Sequence, residues 1–142
     1  MTSIVSQRRR SLPMLLEGIA TEVPALDIGA MRLDSRQIEQ GDLFIALRGH
    51  AQDGREFLQQ AASSGAAAAL VEDGLLASRP PLPAIVIPGL RHRLCEIAGR
   101  YFGDPSREMH VVAVTGTNGK TTVSQLFAQL VRGAGYDCGV IG

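Results

Sequence analysis

The run Val111-Val112-Ala113-Val114-Thr115-Gly116-Thr117-Asn118-Gly119-Lys120-Thr121-Thr122 leaves little freedom for the structure around it. Val111 to Val114 form a short, unbroken apolar stretch that is mostly β-branched, as expected for a strand covered on both faces. Gly116 and Gly119 permit backbone angles closed to other residues and let main-chain N–H groups come close to a ligand. From Thr121, through Leu126, Phe127 and Leu130, the spacing predicts a helix. A helix N-terminus with free N–H groups is a site for phosphate. In such a turn Lys120 reaches the terminal phosphates, and the Thr121 hydroxyl sits on Mg²⁺.

The usual phosphate-loop pattern is G-x-x-x-x-G-K-[ST]. Gly119, Lys120 and Thr121 fill its last three positions, but Val114 stands where the first glycine belongs and a glycine falls at 116 instead. The bland alternative is an ordinary strand–turn–helix with a solvated lysine. One fact weighs against it: Lys120 is the only lysine in the chain, and the other cationic side chains are arginine. The two cations are not interchangeable where a compact ammonium must sit among phosphates.

The 142 residues suffice for one domain, or for a small domain and part of another, and 45% of them are hydrophobic, so a core can form. The formal net charge of zero argues against a nucleic-acid binder working by bulk charge. The two cysteines, Cys95 and Cys138, lack metal-ligand spacing and read as buried small apolar residues. No apolar run is long enough to span a membrane, and the N-terminus lacks the hydrophobic core of a signal peptide. A cytoplasmic monomer without membrane insertion is expected.

Along the chain, 1–10 carries no predicted element, and Ser11 caps a short helix ended by Gly18. Strands are predicted over 30–34, 43–47, 66–71 and 84–87. Helical spacing covers 57–62, ended by Gly65, and 90–102. Arg79-Pro80-Pro81-Leu82-Pro83 is a rigid connector. The loop 48–55 is dense in glycine and polar groups and joins two well-patterned elements, where ligands are often held. A boundary is expected near 103–106. After it come a strand over 109–114, the glycine loop, a helix over 121–133 and a possible strand over 138–141. One strand and one helix cannot close a nucleotide-binding sheet, so the chain reads as cut. The expected organisation is an N-terminal tail and short helix (1–29), an α/β domain (30–106) and the incomplete start of a second domain (107–142).

Two segments together carry a resemblance. Residues 114–122 resemble the ATP-binding signature of the Mur ligases, in which a first glycine is usually missing. Leu33-Asp34-Ser35-Arg36, with the stretch from Gly41 to Arg55, is similar to the uridine-nucleotide domain of family members that add a diamino acid. The resemblance covers about 30–142. It implies an α/β fold: a small uridine-nucleotide-binding domain, then the first β-loop-α of a P-loop domain. It also implies a reaction in peptidoglycan precursor synthesis, and hence a part in cell shape and division. ATP phosphorylates the D-glutamyl carboxylate of UDP-N-acetylmuramoyl-L-alanyl-D-glutamate. The amine of meso-diaminopimelate or L-lysine then attacks the acyl phosphate.

By that resemblance, Gly116, Thr117, Asn118, Gly119, Lys120, Thr121 and Thr122 hold ATP, Lys120 and Thr121 serve catalysis, and Thr121 binds Mg²⁺. Leu33, Ser35, His50, Ala51 and Gln52 contact the UDP part of the substrate. On residue type alone, Leu33 fits a core, Ser35 a turn and His50 a solvated loop. Arg36 and Arg55 either pair with Asp34 and Asp53 or approach a diphosphate, and Asp34 is expected to order its loop by accepting backbone N–H bonds. The family's carbamylated lysine has no candidate here, so the chain alone is not expected to ligate. A family member adding D-alanyl-D-alanine, a non-catalytic module that binds a nucleotide-sugar, and a fragment of a generic phosphate-loop NTPase remain as alternatives.

Overall fold

Leu43–Ala46 is buried along its whole length, and the first part of the molecule is laid around it. The computed structural model describes residues 9–49, 53–74 and 79–141. The chain divides into two compact units, Met1–Pro105 and Ser106–Gly142.

In the first unit, Arg10–Ser11 (β1) leads into a single helical turn, Leu12–Leu15 (α1). Asp27–Ile28 (β2) returns antiparallel to β1. Then come Met31–Arg32 (β3), Leu43–Ala46 (β4), the helix Leu58–Ser63 (α2), Ala68–Glu72 (β5), Ala84–Ile87 (β6) and the helix Leu90–Phe102 (α3). The last four strands form one sheet in the order β3-β4-β5-β6, every pair parallel. Parallel neighbours need crossovers, and the crossovers place helices on both faces of the sheet.

The period-two alternation of strand side chains divides the core accordingly. Leu43, Ile45, Ala68, Leu70, Ile85 and Ile87 pack on one face with Leu12, Leu15, Leu90 and Ile97. Phe44, Ala46, Ala69 and Val71 pack on the other with Ile38, Leu58, Ala61 and Leu82. Asp42 is a buried acid just ahead of β4. Its Oδ1 accepts from Ala30 N at 2.8 Å, and its Oδ2 accepts from Arg32 Nε at 3.0 Å and Glu39 N at 3.1 Å. The acid thus ties the entry of β3 to that of β4.

The segment 12–28 is part of this core: Leu12, Leu15, Leu16 and Ile28 are all buried. Arg100 of α3 fastens it by donating to Leu15 O at 3.0 Å and Glu17 O at 2.7 Å. Ser11 precedes α1 as expected, but its side chain makes no capping hydrogen bond. Cys95 is exposed on α3, contrary to the buried position expected of it.

The second unit contains the helix Lys120–Gly133 (α4). No strand forms over 109–114 or 138–141, where two were expected. A strand is defined by a ladder to a neighbouring strand, and among the described residues neither segment has one. Val111 and Val112 are correspondingly exposed, at 72% and 59%.

Candidate functional site

A cleft of about 480 Å³ opens in the first unit beside the end of β4. Its polar lining comes from a turn that the sequence builds locally. Asp34 has extended backbone angles, and its Oδ1 accepts from Arg36 N at 3.0 Å, which starts a short 3₁₀ turn over Ser35–Gln37. The same carboxylate takes the Arg36 guanidinium side-on, with Nε to Oδ1 at 2.9 Å and Nη2 to Oδ2 at 2.8 Å. The Arg36 side-chain bonds, followed by its backbone N–H, bring the Asp34 carboxyl from the ordinary 3.8 down to about 2. Ser35 is 6% exposed and donates from Oγ to Gln60 Oε1 of α2 at 2.9 Å. Leu33, 63% exposed, lines the same cleft.

A second copy of this device follows β4. Asp53 Oδ1 accepts from Arg55 N at 3.0 Å, and the two side chains pair through Nε and Nη2. The Arg55 side chain holds the Asp53 carboxyl below its ordinary range, against the opposing effect of burial. Arg48 and Asp53 face each other in an isolated antiparallel bridge, and Gly54 N donates to Leu47 O at 2.9 Å. A Cβ on Gly54 would lie 2.6 Å from Leu47 O, so no other residue brings this turn so close to the strand end. Arg48 is held by its N–H to Glu72 Oε2 at 2.9 Å and by its carbonyl to Arg91 Nη2 at 2.7 Å.

Of the residues expected to contact a uridine nucleotide, Leu33 and Ser35 come together at this cleft. His50, Ala51 and Gln52 lie outside the described residues. Leu47, Phe57 and Gln60 also line the cleft, and nothing in their local sequence marks them. Arg36 and Arg55 are both ion-paired. Of the two alternatives left open for them, the structure shows the pairing with Asp34 and Asp53, and Arg36 also lines the cleft.

In the second unit the glycine loop turns as the motif requires. Gly116 has φ 145° and Gly119 has φ 78°, both in the region that favours glycine. An added Cβ would meet little at either position, so the backbone conformation, not the space, calls for glycine. Gly119 caps α4, and Val123 N closes the first turn onto Gly119 O at 2.9 Å. The amides of Lys120, Thr121 and Thr122 therefore stand outside the helix's own ladder. Lys120 folds back over the loop, Nζ to Gly116 O at 2.6 Å, and Thr117, Asn118 and Thr121 are exposed. Free amides at a helix start, a nearby ammonium and an exposed hydroxyl fit a nucleotide phosphate with its cation.

The model of the Mur ligase family, catalytic domain, matches residues 27–101. The chain is 43% identical over 137 residues to UDP-N-acetylmuramoyl-L-alanyl-D-glutamate--2,6-diaminopimelate ligase from Ectopseudomonas mendocina, covering 92% of this chain and 28% of that protein. It is 42% identical over 134 residues to the ligase of the same name from Pseudomonas aeruginosa, with the same coverage. A solved structure of such a ligase superposes with a TM-score of 0.74 at 32% identity, covering 95% of this chain and 28% of the other. A MurF ligase from Thermotoga maritima in complex with ADP has a TM-score of 0.57 at 27% identity, over 73% of this chain and 23% of that one. The chain thus spans about 28% of the length of these curated relatives. With more than half of its residues inside the family match, the chain belongs to the Mur ligase family.

Proposed function

We propose that this chain supplies the nucleotide-sugar site and the ATP phosphate loop of a ligase that adds 2,6-diaminopimelate to UDP-N-acetylmuramoyl-L-alanyl-D-glutamate. The observation that carries the reading is the glycine-capped start of α4, with the chain's one lysine lying over the loop. The relatives' names favour diaminopimelate as the added amine. The neighbour whose name gives D-alanyl-D-alanine, from Acinetobacter baumannii, is 24% identical and bears on the fold alone.

In this reading the amides of 116–122 and the Lys120 ammonium would bind the ATP phosphates, and the Thr121 hydroxyl would hold Mg²⁺. Bound there, MgATP supplies the phosphoryl group that activates a carboxylate. Lys120 and the loop amides oppose the negative charge that builds up during that transfer. Leu33 and Ser35, together with His50, Ala51 and Gln52, contact the UDP end of the substrate. ATP and a nucleotide-sugar as substrates place this chemistry in the cytoplasm.

With no lysine besides Lys120, the chain alone binds substrate without turning over ATP. Calorimetry with UDP-N-acetylmuramoyl-L-alanyl-D-glutamate tests this. One saturable site, with no phosphate released when MgATP and diaminopimelate are added, is the expected result. Absence of binding, or ligation by the isolated chain, would contradict it.

A further inference from the structure

The ladder between β4 and β5 ends at the pair Ala46 and Val71. Beyond it the backbone groups that follow β4 need other partners. At Arg48 two side chains supply them. Glu72, the last residue of β5, accepts the Arg48 N–H on Oε2 at 2.9 Å, and Arg91 of α3 donates from Nη2 to the Arg48 carbonyl at 2.7 Å. The two side chains also pair with each other, Arg91 Nε to Glu72 Oε1 at 4.0 Å. Both backbone polar groups of Arg48 are thus held in one closed ring.

Arg91 stands in the first turn of α3, which holds no acidic residue. A cation there opposes the helix macrodipole, and a residue that breaks a local rule has its reason elsewhere in the fold. The bonds to Glu72 and Arg48 are that reason. The Glu72 side chain is 15% exposed, and either oxygen of its carboxylate can accept. The other end of the segment is fixed as well. Asp53 faces Arg48 in the isolated bridge and is clipped to Arg55, and a Cβ on Gly74, just past β5, would overlap the Arg55 guanidinium. The end of β5 therefore bears on both ends of 48–53.

Resting on the nucleotide-sugar reading above, which assigns His50, Ala51 and Gln52 to the UDP end, we propose that Glu72 is a positioning residue for that ligand, with Arg91 as its partner. Neither side chain has to touch the ligand. They act through Arg48: by fixing its backbone beforehand they remove an ordering cost that binding would otherwise meet.

Two measurements on the 142-residue chain test this, in the unsubstituted protein and in Glu72→Ala, Glu72→Gln and Arg91→Ala. Hydrogen exchange of the Arg48 amide, followed by NMR without ligand, reads the clip itself. Calorimetry with UDP-N-acetylmuramoyl-L-alanyl-D-glutamate reads its effect. Glu72→Ala should deprotect the Arg48 amide and weaken binding about tenfold, with the loss carried by the binding entropy. Glu72→Gln keeps an acceptor for that amide and should retain its protection and most of the affinity. Arg91→Ala removes an exposed side chain, leaves the core untouched and should weaken binding about threefold. A role in stability alone would leave the affinities unmoved. Unchanged affinity in both alanine variants, Glu72→Gln binding as weakly as Glu72→Ala, or an Arg48 amide that exchanges freely in the unsubstituted chain overturns this inference and leaves the nucleotide-sugar site standing. No binding by the unsubstituted chain, with its Arg48 amide protected, overturns that site and this inference with it.

Discussion

Asp34 and Asp53 each accept the backbone N–H of an arginine two residues on and pair with its side chain. The D-x-R spacing makes both clips local, which is why the ordering role of Asp34 was legible from the residues around it. The Asp34 carboxyl, brought down to about 2 chiefly by the Arg36 side chain, carries a pH consequence. A depressed acid stabilises the folded form fully above its ordinary value near 3.8 and loses that contribution as pH falls toward about 2. Carboxyl ¹³C shifts followed by NMR should show Asp34 titrating near the lower value, and in Arg36→Ala near the ordinary one. A midpoint near 3.8 in the unsubstituted chain would show that the clip does not form in solution. Gln60 and Phe57 were not legible in the same way. Their helical spacing assigns them to a helix, but the meeting of Gln60 with Ser35, 25 residues earlier, is decided by how α2 packs on the sheet.

The strands of the main sheet stand out in the sequence wherever an apolar run is bounded by turn residues, as Leu43–Ala46 is by Gly41-Asp42 and Ala84–Ile87 by Pro83 and Pro88. β1 has no such signature. Arg10-Ser11 is polar, and it becomes a strand because the buried Leu12 and Ile28 bring it against β2. The opposite failure occurs at 109–114, where apolar β-branched residues predict a strand but no ladder partner lies alongside among the described residues. Burial, then, decides which apolar residues stabilise this chain. Leu70 of β5 is fully buried, whereas Leu130 of α4 is 74% exposed. Leu70→Ala should lower unfolding stability by about 2–5 kcal/mol, and Leu130→Ala should change it by less than about 0.5 kcal/mol. Urea denaturation of both variants checks this, and equal losses would contradict the core as described.

At the level of the whole molecule, the first unit has helices on both faces of a parallel sheet and its own two-sided core. The second is a single main helix with a phosphate-type loop at its start. Much of the α4 surface is apolar and exposed, including Val123, Leu126 and Leu130, and a unit of this size buries too little surface to be strongly stable alone. The neutral overall charge fits recognition by particular groups rather than by a charged face. The central claim is that each unit carries one nucleotide site: a uridine nucleotide at the cleft of the first, ATP phosphates at the loop of the second. An amide-resolved NMR titration tests it most directly. Adding UDP-N-acetylmuramoyl-L-alanyl-D-glutamate should shift the amides of Leu33, Ser35 and Gln60 and leave 116–122 in place. Adding millimolar MgATP should shift 116–122 and leave the cleft in place. Shifts of both regions by the same ligand, or of neither by its own, would contradict the account.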